Sequence, residues 1–201
     1  VNVAAYRFVP LEGLPDWRIS IRRRAIELHL RGTVLLSPEG INLFVAGTRA
    51  EVDQFLDWLR GHAPFAGLEV KASPGDDQPF NRMLVRIKKE IIALGDPGID
   101  PAERPCPKLS PRELKQWLDE GRPVTLLDTR NDYEVALGTF DGAIPAGISH
   151  FRQFPESVQR LPQELKQQPI VMFCTGGIRC EKAGPVMQQQ GFEQVWQLDG
   201  G

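Results

Sequence analysis

The chain has 201 residues, a formal net charge of −2, 41% hydrophobic and 25% charged residues, which excludes a disordered chain and fits a globular protein long enough for two small domains. No apolar run approaches the roughly 20 residues of a membrane helix and no signal-peptide series opens the chain, so a cytoplasmic location is expected. Its three cysteines are too few for a disulfide scaffold and cannot all pair, which points to reduced thiols.

Residues 2–9 are apolar and β-branched and stop at Pro10, a strand ended by a residue that cannot donate to a ladder. Apolar residues at 17, 19, 21, 25, 26, 28 and 30 recur nearer to helical than to strand spacing, and Gly32 is expected to end that helix. Two strand-like runs, 33–36 and 43–46, flank the turn signal Ser37-Pro38-Glu39-Gly40. Thr48 with Glu51 is a capping box for a helix carrying Val52, Phe55, Leu56 and Leu59 and closed by Gly61. Strands over 68–72 and 83–94, separated by the loop Ser73-Pro74-Gly75-Asp76-Asp77, complete a β-α-β-β-α-β order with an extension. That order predicts an α+β, ferredoxin-like (acylphosphatase-like) N-terminal domain over 1–95, its helices on one face of an antiparallel sheet.

Residues 96–109 hold Pro97, Pro101, Pro105 and Pro107 and read as a linker. Beyond it the pattern predicts an α/β domain over 110–201 built on a parallel sheet. Ser110 with Glu113 caps a helix whose face is Leu114, Trp117 and Leu118. Short apolar strands follow over 124–127, 170–173 and 195–198, with a helix from about Glu181 to Gln190 closed by Gly191.

The stretch from Ile170 to Lys182 is strand, glycine-bearing loop and helix, with Cys174 at the carboxyl end of the strand, on the first turn leading into the helix. Active sites of open α/β sheets gather at such strand ends. Gly176 and Gly177 allow successive amides to curl inward as an anion-binding nest, and Arg179 adds a cation, so Cys174 is expected to be a thiolate nucleophile at neutral pH. The competing reading, a small buried hydrophobe, requires no diglycine, arginine or helix start beside it. Arg179 on a first helical turn is unfavourably placed unless an anion meets it. Cys180 is a candidate second thiol, either a resolving partner or a packing residue, and Cys106 is expected to be incidental. No metal ligand set is evident, since Cys174 and Cys180 lack Cys-x2-Cys spacing and His29, His62 and His150 are scattered; no cofactor is evident either.

The loop Cys174-Thr175-Gly176-Gly177-Ile178-Arg179 resembles the active loop of the rhodanese family. Leu126-Leu127-Asp128-Thr129-Arg130, Glu134, Gly138 and Gly142-Ala143-Ile144-Pro145 are similar to that family's strand, Asp-x-Arg signature and Gly-x-Ile-Pro turn. The resemblance implies a rhodanese-like domain whose cysteine takes sulfane sulfur as a persulfide, with Asp128 and Arg130 supporting the loop from behind. Only four residues separate Cys174 from Arg179, one fewer than in the related dual-specificity phosphatases, and Cys180 stands where those carry arginine. Phosphatase activity is therefore not expected.

Further motifs lie in both halves: Val1-Asn2-Val3-Ala4-Ala5-Tyr6, Ser37 to Asn42, Pro79-Phe80, Lys88-Lys89-Glu90-Ile91 and Phe151-Arg152-Gln153-Phe154-Pro155. With the cysteine loop they resemble the bacterial rhodanese-domain tRNA uridine hydroxylases. That resemblance implies an oxidoreductase that 5-hydroxylates wobble uridine 34 of tRNA, dependent on the loop cysteine, with molecular oxygen as co-substrate and tRNA as partner. It also implies a chain truncated at its C-terminal end. The alternatives are a sulfurtransferase acting on thiosulfate or a persulfide, and a non-catalytic binding module. For RNA contact the candidates are Arg82, Arg86, Lys88 and Lys89, three of which share a strand face by the period of two, and the run Arg22-Arg23-Arg24. Tyr6, Phe8 and Phe80 are candidate stacking rings. Each also has a plain reading, as solvated charge or as core aromatic.

Overall fold

Alternation along the first strand sets the first sheet. Val3 and Ala5 of β1 (Asn2–Phe8) point into a core, in a computed structural model that describes residues 1–75 and 77–201. The chain divides into two units, Val1–Ile92 and Ala93–Gly201.

In the first unit, helix α1 (Leu14–Glu27) opens behind Gly13, three residues before the apolar pattern begins, with a proline in its first turn. It stops at Glu27 because His29 takes a left-handed φ of 52° and the Leu30 N–H folds back onto the Ala25 carbonyl at 2.9 Å. Gly32, expected to end this helix, lies inside strand β2 (Arg31–Ser37). Its φ is 149°, and a Cβ there would fall 2.0 Å from the Phe44 carbonyl oxygen, so only glycine lets the backbones pair. The chain turns at Pro38-Glu39 into β3 (Gly40–Ala46), making the two runs one tight hairpin. Helix α2 (Arg49–Arg60) carries the expected capping box: the Glu51 N–H reaches Thr48 Oγ1 at 3.3 Å and the Thr48 N–H reaches the Glu51 carboxylate at 2.9 Å. Such a cap contributes about 1 kcal/mol.

Strand β4 (Glu69–Ser73) takes Ser73 from the predicted loop, of which Asp76 lies outside the described residues. The long last strand predicted over 83–94 is only β5 (Met83–Ile87). Past it the backbone is held by side chains: the Ile91 N–H donates to the Glu39 carboxylate at 2.6 Å and Asn42 Nδ2 to the Ile91 carbonyl at 3.1 Å. The sheet order is β4-β1-β3-β2-β5, antiparallel except for the parallel β2–β5 pair, with β5 as the extension. Ile21, Ala25, Phe55 and Leu59 of the helices share one core with Val34, Leu36, Leu43 and Val45 of the sheet.

The second unit contains the stretch predicted as a linker. Ile99, Cys106 and Leu109 are buried, and β6 (Lys108–Leu109) is an edge strand, the one place in a sheet that tolerates neighbouring prolines. Around it are β7 (Thr125–Asp128), β8 (Ile144–Pro145), β9 (Ile170–Phe173) and β10 (Val195–Leu198), all parallel, in the order β6-β10-β9-β7-β8. All four residues of β9 are buried, as a central parallel strand requires. Helix α3 (Pro111–Asp119) has its Ser110–Glu113 capping box and covers Leu126, Val171, Phe173 and Leu198 with Leu114 and Trp117. Leu118, expected on that face, is 45% exposed. Short helices α4 (Asp132–Val135) and α5 (Phe154–Gln159) precede α6 (Ile178–Gln189), which packs on α5, β9 and β10. Among the described residues no helix is long and apolar enough to cross a membrane.

Candidate active site

Strand β9 ends at Phe173 and delivers Cys174 to the carboxyl edge of the sheet. Helix α6 begins at Ile178, earlier than the periodicity suggested, so Cys174 sits in the loop before the helix and not on its first turn. Gly177 makes that approach possible: its φ of 90° is open to glycine, and it aims the Gly177 N–H at Cys174 Sγ, 3.0 Å away. The Cys174 thiol is held well below the ordinary thiol range. A hydrogen bond from Cys180 leads, burial opposes it, and the Arg179 guanidinium and the amides of Gly176 and Arg179 add to the first. Cys180 is displaced the other way, upward, by complete burial and by its anionic neighbour.

Arg179 meets its anion inside the protein. Nη1 and Nη2 form a fork on the two oxygens of Glu134 at 2.6 and 2.8 Å, and Nη2 also reaches Thr175 Oγ1 at 3.2 Å. Thr175 in turn donates to Glu134. The Arg179 fork lowers the Glu134 carboxyl to about 2, against burial and with help from Thr175 and the Asn131 amide. The loop is thus tied at both its second and its last residue to α4. Glu134 was legible as part of a motif but not as the partner of Arg179.

Asp128 and Arg130 stand behind the loop. Burial works against ionisation of Asp128, yet hydrogen bonds from Arg130 Nε at 2.9 Å, Arg130 Nη2 at 2.7 Å and Thr139 Oγ1 at 2.7 Å keep it charged. Arg130 also donates to the Gly138 carbonyl at 2.6 Å and lies over the Phe173 ring, against which Phe140 packs edge-on at 4.9 Å. The pair therefore fixes the 138–140 turn and the residue before Cys174 without touching the sulfur. Thr129 between them, not singled out by sequence, is fully buried with Oγ1 3.0 Å from the Phe173 carbonyl and 3.5 Å from Cys180 Sγ. Gly201 closes against the same loop, since a Cβ on it would fall 2.7 Å from the Gly177 nitrogen.

Cys106 is not incidental. It is 3% exposed, burial first and Glu181 second push its thiol up to about 12, and it occupies the space beside Gly184 of α6. A Cβ on Gly184 would lie 2.4 Å from Cys106 Sγ. Gly184→Ala should therefore lower stability by about 1–3 kcal/mol through overpacking, read as a lower urea midpoint, and Cys106→Ala added to it should restore part of the loss.

The four RNA candidates are all exposed, with Arg86 on the edge strand β5 and the others beside it. In the arginine run, Arg23 and Arg24 both turn to Glu27, which leaves less free charge there than the sequence suggested. Tyr6 and Phe8 are half-buried and meet edge to face at 6.1 Å.

Residues 1–91 match the UPF0176 acylphosphatase like domain and residues 110–201 the rhodanese-like domain. A curated relative from Cupriavidus necator, a tRNA uridine(34) hydroxylase, is 52% identical across 100% of this chain and 73% of its own length. The chain belongs to the tRNA uridine(34) hydroxylase family. A second such hydroxylase, from Bordetella petrii, is 50% identical over 100% of this chain and 82% of its own. Among solved structures, the human single domain sulfurtransferase TSTD1 is 25% identical over 47% of this chain and 89% of that one, with a TM-score of 0.40. The hydroxylase family thus joins the two domain types that the sequence order and the cysteine loop predicted.

Proposed function

We propose that this chain hydroxylates carbon 5 of the wobble uridine, position 34, in tRNA, with Cys174 as the working thiolate and molecular oxygen as co-substrate. The observation that carries the reading is the Cys174 sulfur, aimed at by the Gly177 amide at 3.0 Å at the end of β9, in a chain about half identical to hydroxylases of that name along its whole length. Uracil offers C6 to a soft nucleophile. Addition of the sulfur there raises electron density at C5, where oxygen enters. One oxygen atom stays as the hydroxyl, and the other leaves as water with two electrons and two protons from an external reductant. Loss of the C5 proton and of the C6–S bond restores the ring. Cys174 is only 4% exposed, so a base has to leave its stack to reach it, which an anticodon-loop nucleotide does at low cost. Arg82, Arg86, Lys88 and Lys89 are the charges we assign to the RNA backbone, and a tRNA substrate puts the protein in the cytoplasm.

Nucleosides of tRNA from cells with and without the gene test the reading. Loss of 5-hydroxyuridine and its derivatives is the expected result; intact hydroxyuridine with loss of thiolated uridine would replace it with sulfur transfer from a Cys174 persulfide.

A further inference from the structure

The sheet of the first unit has a second side, and it is not the polar one that a solvated antiparallel sheet ordinarily presents. Helices α1 and α2 share their core with Val3, Val34, Leu43 and Val45, so by the period of two the opposite side is carried by the residues between these. The strand register lines up one row across that side, from edge to edge: Lys71 of β4, Ala4 of β1, Phe44 of β3, Thr33 of β2 and Leu84 of β5. Phe44 stands on the middle strand and is nonetheless 48% exposed. Its direct neighbours across the strands are Ala4 and Thr33, side chains too short to cover the ring. Other segments bound the two ends of the side: Gln78 Nε2 donates to the Ala46 carbonyl at 3.1 Å at one, and Asn42 Nδ2 to the Ile91 carbonyl at 3.1 Å at the other. The ring lies in the open stretch between them.

Charge surrounds this ring on both sides. Arg31 lies one row from Phe44 in one direction along the strands and Arg86 one row in the other, each about 7 Å away along the chain direction. Both are exposed, and neither enters an ion pair among the described residues. With Lys71 they make three cations against the single acid Glu69 on the described strands of this side. An apolar protein surface would have to strip water from these cations without pairing them. Unpaired RNA supplies what the arrangement asks for, a flat base for the ring and phosphates for the guanidinium groups. We propose that this side of the first sheet binds single-stranded RNA, with a base stacked on Phe44 and the neighbouring phosphates met by Arg31 and Arg86. The proposal deepens the reading of the chain as a tRNA hydroxylase and rests on it, since the anticodon loop is the unpaired segment of such a substrate. Phe44 was not among the rings that the sequence suggested for stacking; Tyr6, which was, lies one row away on the same side.

Fluorescence anisotropy of a dye-tagged anticodon stem-loop RNA, titrated with the whole chain, tests this. Phe44→Ala is expected to weaken binding about tenfold, and Phe44→Trp, which keeps a stacking face, to bind at least as well as the parent. Arg31→Gln and Arg86→Gln should each weaken binding by less and reduce its salt slope by about one. A fully paired RNA of the same length has no base to offer the ring, so Phe44→Ala should leave its binding unchanged. The Phe44 ring is half exposed, and melting curves of the variants separate lost contact from lost fold. An alanine variant that binds the stem-loop like the parent, or a tryptophan variant as weak as the alanine one, overturns the stacking site. A parent that elutes as a dimer, and that Phe44→Ala splits into monomers, gives this side to a second copy of the chain and overturns the site as well. A parent that binds neither the stem-loop nor whole tRNA at low salt overturns instead the tRNA reading beneath it.

Discussion

Cys174→Ser is expected to lower formation of 5-hydroxyuridine in tRNA by on the order of a thousandfold or more, while leaving the fold intact. A serine hydroxyl in the same place stays protonated at neutral pH, and one amide at 3.0 Å does not turn it into an anion. The change in volume is small, so stability should shift by less than about 1.5 kcal/mol. Nucleoside analysis of tRNA from cells carrying only the variant, beside a melting curve of the purified chain, checks both halves. Full hydroxylation by the serine variant would remove Cys174 from the chemistry.

Glu134→Gln should damage both fold and activity. The Arg179 side chain is 11% exposed and Glu134 14%, so taking away the carboxylate strands a largely buried guanidinium, a loss of about 3 kcal/mol. The loop then loses its tie to α4 through both Arg179 and Thr175, and hydroxylation should drop by roughly tenfold or more, as when the support of a reactive group is removed. The same pair gives a pH signature. The Glu134 carboxyl titrates at about 2 in the folded chain against an ordinary 4.5. A depressed acid stabilises the fold above the unfolded value, so its contribution is whole above pH 4.5 and is lost as pH falls toward 2. At about 1.4 kcal/mol per unit this again amounts to about 3 kcal/mol. Urea midpoints of parent and variant should differ most near neutrality and converge in acid; a gap that persists unchanged at the acid end would mean that the pair is not what Glu134 contributes.

The sequence carried the parts of this molecule that depend on local chemistry. The Thr48–Glu51 and Ser110–Glu113 boxes, the strands over 170–173 and 195–198, and the diglycine after Cys174 each encode their geometry within a few residues. What it hid depends on long-range partners. Gly32 looks like a helix terminator until β3 is seen lying against it. Residues 96–109 look like a linker because the strand that pairs with β6 comes almost ninety positions later, at Gln197 and Leu198. At the site, Arg179 called for an anion, but its supplier sits 45 residues upstream, on a helix of four residues too short to give any periodic signal. Thr129 was read only as the spacer within Asp-x-Arg, although its hydroxyl is what touches Cys180.

The strand order β6-β10-β9-β7-β8 also governs when the nucleophile can exist during synthesis. As the chain leaves the ribosome, β7 can pair with β8 first, but it waits some forty residues for β9, and β6 waits for β10. Such non-local pairing delays closure of the second unit's sheet. Cys174, at the end of the strand that joins the two halves of the sheet, becomes a caged anion only when almost the entire unit has been made, which spares the nascent chain an exposed reactive sulfur.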